Sequence, residues 1–262
     1  MYQDLLPSDR AKFACAKRAA DFVKSGMKVG LGTGSTAAFL VKILGERVRT
    51  EGLRFQGVPT STRTADLARE EGIEIITLEQ ARTLDVTIDG ADEFDPKLNL
   101  IKGGGGAHLQ EKIVATASKE MVVIADASKD VATLGQFPLP VEVIPFGHGA
   151  TRTLVEAVLK ELGYRDPQVA YRADGDAYFK TDEGNYILDL KLQAISDAPR
   201  LSQKLNQIAG VVENGLFLNI CSSVVVGFED GRTVTKDKSG RSHEVNVFEQ
   251  GESDNLFSDI ED

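Results

Sequence analysis

Apolar positions along this chain recur in two periods, and the switches between them mark its elements. From about Asp9 to Val23, Phe13, Ala16, Ala20 and Val23 fall on one helical face, with Ser8 expected as the N-cap and Gly26 as the stop. Short apolar runs then alternate with helical segments. They are "KVGLG", a helix through about Arg49, a strand at Arg54 to Val58, a helix at about Thr62 to Glu71 closed by Gly72, and a strand at Glu74 to Thr77. "DVTIDG" and the β-branched run "MVVIAD" add two more strands. Strands alternating with helices predict an α/β fold, a Rossmann-like, mainly parallel sheet flanked by helices.

The pattern changes near Gly135. "PVEVIPF" reads as a strand and "ATRTLVEAVLKELG" as a helix, while "QVAYRAD" and "YILDLKL" flank a turn at "TDEGN". "PRLSQKLNQIAG" reads as a helix and "VVENG" as the start of a last strand. The order β-α-β-β-α-β predicts a second, smaller α+β domain of ferredoxin-like type at residues 135–214. "LFLNICSSVVVGF" is expected to rejoin the first sheet, giving a Rossmann-like catalytic domain from residues 1–134 and 215–248. Residues 249–262 hold six acids and no Lys or Arg, the composition of a disordered tail.

Composition narrows the function. The 262 residues carry a formal net charge of -10, which argues against nucleic acid or anionic membrane as partner. An anionic small substrate must therefore meet a local group of cations and N–H donors. Cys15 and Cys221 stand far apart, and His108, His148 and His243 form no ligand spacing, so no metal is expected. The absence of a long apolar run and of a basic-then-apolar start predicts a soluble, cytoplasmic protein.

Three loops can carry chemistry. In "GLGTGSTAAF" a Gly-rich turn leads from strand to helix, where backbone N–H groups and the Ser35 and Thr36 hydroxyls suit a phosphate. It is neither a P-loop nor a complete dinucleotide fingerprint. In "TIDGADEFD" the acids Asp89, Asp92, Glu93 and Asp95 crowd seven residues at a strand's carboxyl end; a solvated turn and a Mg²⁺ site are the competing readings. In "KGGGGAHLQEK" four glycines lie between Lys102 and a helix bearing Glu111, so bare backbone can wrap a small polyhydroxylated molecule beside a cation and a carboxylate. "ADASK" repeats the strand-end arrangement with Ser128 and Lys129.

Together, "GTGSTAA", "DGADE", "KGGGGAHLQEK", "ADASK" and "PLPVEVIPF" resemble the A-type ribose-5-phosphate isomerases, from about Lys12 to Gly231. The stretch after about Thr235 lies outside the resemblance. The resemblance implies an enzyme that interconverts ribose 5-phosphate and ribulose 5-phosphate without metal or other cofactor, as a homodimer or homotetramer. Glu111 would be the proton-transferring base. Thr33, Gly34, Ser35 and Thr36, Asp89, Gly90, Ala91 and Asp92, Lys102, Gly103, Gly104 and Gly105, and Lys129 would form the substrate site, with Lys12 near it. Such chemistry asks for one carboxylate to serve C1 and C2, and for a cation and N–H donors aimed at the oxygens that gain charge. Lys102 and the glycine amides suit that role. Asp89 or Asp92 would assist ring opening. A glucosamine-6-phosphate type deaminase would carry a histidine between Asp89 and Lys102, and none is there. A repressor's sugar-phosphate sensor would need a DNA-binding helix-turn-helix.

Overall fold

The computed structural model describes residues 5–248, and the predicted acidic tail lies outside them. The chain divides into two compact units. The first contains the residues up to Gly90, Ile113–Lys129 and the residues from Ile220; the second contains Ala91–Lys112 and Asp130–Asn219. This division differs from the boundaries read in the sequence, because the segment carrying Asp92, Lys102 and Glu111 clusters with the smaller unit.

The first unit is built on an eight-stranded sheet. Its order is Ser242–Asn246, Arg232–Asp237, Ser223–Gly227, Ser118–Asp126, Leu84–Gly90, Lys28–Leu31, Gln56–Pro59 and Glu74–Ile75. Pairing is parallel from Ser223–Gly227 to Glu74–Ile75, with Val225 opposite Ile124 and Leu31 opposite Ile88. The first two strands of that order join antiparallel, so the stretch after Thr235 forms an edge of the sheet. Helices Pro7–Ala20 and Ser35–Thr50 close one face over Leu31, Ile88, Ile124 and Val225, with Phe13, Phe39, Leu40 and Leu44 in the same core. Val58, Ala81, Leu84 and Val114 form a separate apolar cluster.

The first helix departs from its expected limits. It runs Pro7–Ala20 with Leu6 at the cap position and no side-chain cap, so Ser8 lies inside the first turn. Proline at the first helical position supplies the start, since its fixed φ suits the helix and its missing N–H would have no acceptor there. Gly26, at φ 88°, belongs to the turn before the next strand and does not stop the helix.

The second unit contains a four-stranded antiparallel sheet ordered Val211–Asn214, Leu139–Val143, Tyr186–Lys191 and Gln168–Tyr171. Counted along the chain this order is 4-1-3-2, which places helices His148–Glu161 and Ala198–Asn206 as the crossovers of a split βαβ arrangement. Val141, Val143, Leu188 and Leu190 share a core with Val155, Leu159, Leu201 and Leu205. Glu142 alternates to the other face, where it is buried beside His108. A three-stranded sheet of Leu216–Phe217, Leu100–Ile101 and Glu93–Phe94 leads into the glycine loop.

Candidate active site

In the first unit, the strand Leu84–Gly90 carries Asp89 to its carboxyl end, fully buried. Asp89 Oδ1 accepts the N–H of Thr33 at 3.0 Å and of Gly90 at 2.7 Å, so the acid fixes the Gly-rich turn from below. Gly34, at φ 111°, then turns the chain into helix Ser35–Thr50. The N–H groups of Ser35, Thr36 and Ala37 form its first turn, where an α-helix provides no internal acceptor and its dipole favours an anion. Gly34 and Ser35 are exposed and Thr36 is half-buried.

The Thr33 hydroxyl turns inward to the hydroxyls of Thr60 and Ser61, both at 2.8 Å, and of Thr64 at 3.3 Å. Thr64 in turn donates to the Gly32 carbonyl at 3.0 Å. Sequence reading missed this network, although "PTSTRT" shows a strand end followed by hydroxyls at a helix start. Lys129 ends a short 3₁₀ turn after strand Ser118–Asp126 and is half-buried. Lys12 pairs with Asp9 of its own helix at 3.1 Å.

In the second unit, Lys102 leaves the strand Leu100–Ile101 and its Nζ lies 3.1 Å from Glu111 Oε2, with both side chains almost wholly buried. Glu111 stands in the first turn of helix His108–Thr116. The next residue, Lys112, faces elsewhere: its Nζ bonds the Asn214 carbonyl at 2.6 Å and Glu213 at 3.0 Å, and burial lowers its pKa. The Phe217 ring lies 5.5 Å from Lys102 Nζ and 5.0 Å from Lys112 Nζ, within reach of a cation–π contact with each.

Gly103 and Gly104, between these residues, are required by their surroundings. A Cβ on Gly104 would lie 2.5 Å from Asp92 Oδ1, and one on Gly103, at φ 106°, would lie 2.8 Å from the His108 Cβ. Asp92 Oδ2 accepts the Gly104 N–H at 2.7 Å, and the Gly103 and Gly104 carbonyls both accept from Arg172, a residue the sequence reading did not single out.

The acids of "DGADEFD" therefore face different partners. Asp89 holds the turn, Asp92 holds Gly104, Glu93 accepts the N–H groups of Gly135 and Phe137, and Asp95 accepts those of Lys97 and Asn99. Among the described residues no three His, Cys, Asp or Glu side chains converge as a metal site. Nor, among them, is any helix long and apolar enough to cross a membrane.

Comparison with known proteins bears on this arrangement. Residues 56–231 match the family model for ribose 5-phosphate isomerase A (phosphoriboisomerase A). The chain is 62% identical to the ribose-5-phosphate isomerase A of Ruegeria pomeroyi and 59% identical to that of Roseobacter denitrificans, over 100% of each chain. The likeness thus extends past Thr235, where sequence reading had ended it. Among solved structures, ribose 5-phosphate isomerase A from Methanocaldococcus jannaschii matches with a TM-score of 0.79 and 42% identity, over 88% of this chain and 99% of its own. A D-ribose-5-phosphate isomerase in complex with phospho-erythronic acid matches with a TM-score of 0.77 and 36% identity, over 92% of this chain and 100% of its own. A family match across most of the chain, full-length relatives and the shared fold agree: this chain belongs to the ribose 5-phosphate isomerase A family.

Proposed function

We propose that Glu111 carries the proton between C2 and C1 in the interconversion of D-ribose 5-phosphate and D-ribulose 5-phosphate, the reaction of the family to which the chain belongs. The observation that carries this reading is the buried Lys102–Glu111 pair at 3.1 Å, flanking the glycine loop. Abstraction of the C2 proton from the open aldose leaves a planar enediolate with charge on O1 and O2. The same carboxylate then returns a proton to C1. Lys102 and the loop amides stabilise the oxygens as charge develops. Phospho-erythronic acid, the ligand of a solved relative, is a phosphorylated hydroxy acid whose planar carboxylate resembles such an enediolate in shape.

The other residues take supporting roles in this proposal. Asp92, half-buried, exchanges the proton at the ring oxygen during opening, while Asp89, wholly buried, holds the turn. The N–H groups and hydroxyls of Gly34, Ser35 and Thr36, with Lys129 and Lys12, receive the charged and hydroxylated ends of the substrate. Thr33 serves inwardly, through Asp89 and the hydroxyl network. Gly90, Ala91, Gly103, Gly104 and Gly105 provide backbone surface. The proposal includes a cytoplasmic location and assembly as a homodimer or homotetramer, to be measured by light scattering.

The test is isomerisation of ribose 5-phosphate followed by NMR in D₂O. Wild-type protein is expected to place solvent deuterium on C1. Glu111→Gln is expected to lose on the order of 10²–10⁴ in kcat with its melting temperature little changed. A folded Glu111→Gln enzyme with normal turnover and exchange would remove Glu111 from the role.

A further inference from the structure

The glycine loop is held from one side by a cation that the chemistry above does not use. Arg172 Nη1 donates to the carbonyls of Gly103 at 2.8 Å and Gly104 at 2.9 Å. Its Nε and Nη2 grip both oxygens of Asp189, at 3.0 and 2.6 Å. Arg172 directly follows strand Gln168–Tyr171, and Asp189 lies on the adjacent antiparallel strand Tyr186–Lys191. The fork is therefore fixed to the sheet and needs no rearrangement to hold the loop.

This contact determines where the loop's N–H groups point. In a trans peptide the C=O and the following N–H project in opposite directions, and no cis bond occurs among the described residues. With the Gly103 carbonyl drawn to Arg172, the Gly104 N–H emerges on the far side and meets Asp92 Oδ2 at 2.7 Å. With the Gly104 carbonyl drawn to the same guanidinium, the Gly105 N–H is directed away from Arg172 as well. Gly104 and Gly105 are both exposed. A cation on the carbonyl also polarises the peptide and strengthens its N–H as a donor.

We propose that Arg172, locked by Asp189, is a positioning residue of the isomerase that presents the Gly105 N–H to an enediolate oxygen. This rests on the reading that Lys102, Glu111 and the glycine loop form the reacting centre. Arg172 itself touches no substrate in this assignment. The Gly103 carbonyl also accepts the Gly106 N–H at 2.9 Å, and Asp92 keeps the Gly104 N–H. Removal of Arg172 therefore chiefly releases the Gly104–Gly105 peptide, which weakens binding of the enediolate more than binding of the sugar phosphate.

The test compares Arg172→Ala, Arg172→Lys, Asp189→Asn and Glu111→Gln for kcat, KM and inhibition by phospho-erythronic acid. Arg172→Ala is expected to lower kcat by about 10²-fold, the scale of a small misplacement at a reacting centre. KM is expected to stay within about threefold, and inhibition to weaken in step with kcat/KM. Arg172→Lys restores little, because one ammonium cannot span two carbonyls and a carboxylate. Millimolar guanidinium is expected to restore part of the Arg172→Ala rate. Wild-type kcat and inhibition in Arg172→Ala, or a loss confined to KM, would overturn the assignment. Where Arg172→Ala does not fold, Asp189→Asn decides on the same readouts, and an unchanged kcat there overturns it too. Full activity in Glu111→Gln would instead strike the reacting-centre reading, and is seen separately.

Discussion

Gly32 and Asp89 approach so closely that a side chain on the first has no room: a Cβ there would lie 2.1 Å from Asp89 Oδ1 and 2.5 Å from its Cα. The backbone itself is in the way, so a rotamer change cannot relieve the clash. Gly32→Ala is expected to push Asp89 off the Thr33 N–H and to cost about 1–3 kcal/mol of stability. Urea unfolding measures the cost, and kcat/KM is expected to fall with it. A Gly32→Ala protein as stable and active as wild type would show that the turn can open without consequence.

The Lys102–Glu111 pair makes a second, opposite-signed pair of expectations. Lys102→Met takes a cation from a buried carboxylate and is expected to destabilise the fold by about 3 kcal/mol while lowering kcat. Adding Glu111→Gln to it removes the stranded charge, so the double variant is expected to regain stability but not activity. Additive stability losses in a double-mutant cycle would contradict the pairing.

His108 sets a pH dependence of stability. Burial holds its imidazole near pKa 3, against 6.5 for an ordinary histidine, so it stays neutral beside Glu142 Oε2 at 3.8 Å. The unfolded chain takes a proton near pH 6.5 that the folded chain refuses. The stability due to neutral His108 is thus present above pH 6.5 and lost as pH falls towards 3. Glu142, whose pKa burial raises, acts in the other sense and loses stability as pH rises through its folded pKa. Replacing His108 by Asn is expected to flatten the fall between pH 6 and pH 4, by about 1.4 kcal/mol per pH unit at most. Chemical denaturation of both proteins at several pH values checks this; parallel curves would exclude His108 as the cause.

The phosphate end is tested by comparing ribose with ribose 5-phosphate. In a chain of net charge -10, only the local N–H groups and cations can hold the anion. Unphosphorylated ribose is expected to be a very poor substrate. Lys129→Ala is expected to lower kcat/KM with the melting curve unchanged. Equal kcat/KM for the two sugars would displace the turn and Lys129 from the assignment. Dialysis against a chelator is expected to leave activity intact, and restoration of a lost rate by added Mg²⁺ would contradict it.

The parallel sheet was legible because its strands are continuous apolar runs, such as Met121 to Ala125, bounded by turn residues. The glycine loop was legible because its cost is local and visible in four letters. Arg172 was not: it stands 69 residues from Gly103, and no period or spacing links a lone arginine to a distant carbonyl. The acids after Asp89 looked like one group because they are close in sequence, yet a strand end followed by a turn sends each to a different partner. Ser8 was misread for a local reason, since Pro7 had already begun the helix.

The order of the large sheet also determines when it can be completed. Strand Ser118–Asp126 has Leu84–Gly90 on one side and Ser223–Gly227 on the other, and that second neighbour follows it by about a hundred residues of chain. At roughly 5–20 residues per second of synthesis, its apolar edge waits about 5–20 s for a partner that the ribosome has not yet made. During that interval the edge can pair with another nascent chain. Yield in a crowded cell therefore depends on what shields Met121 to Ala125 before Val224 to Val226 arrive, a demand made by assembly and independent of catalysis.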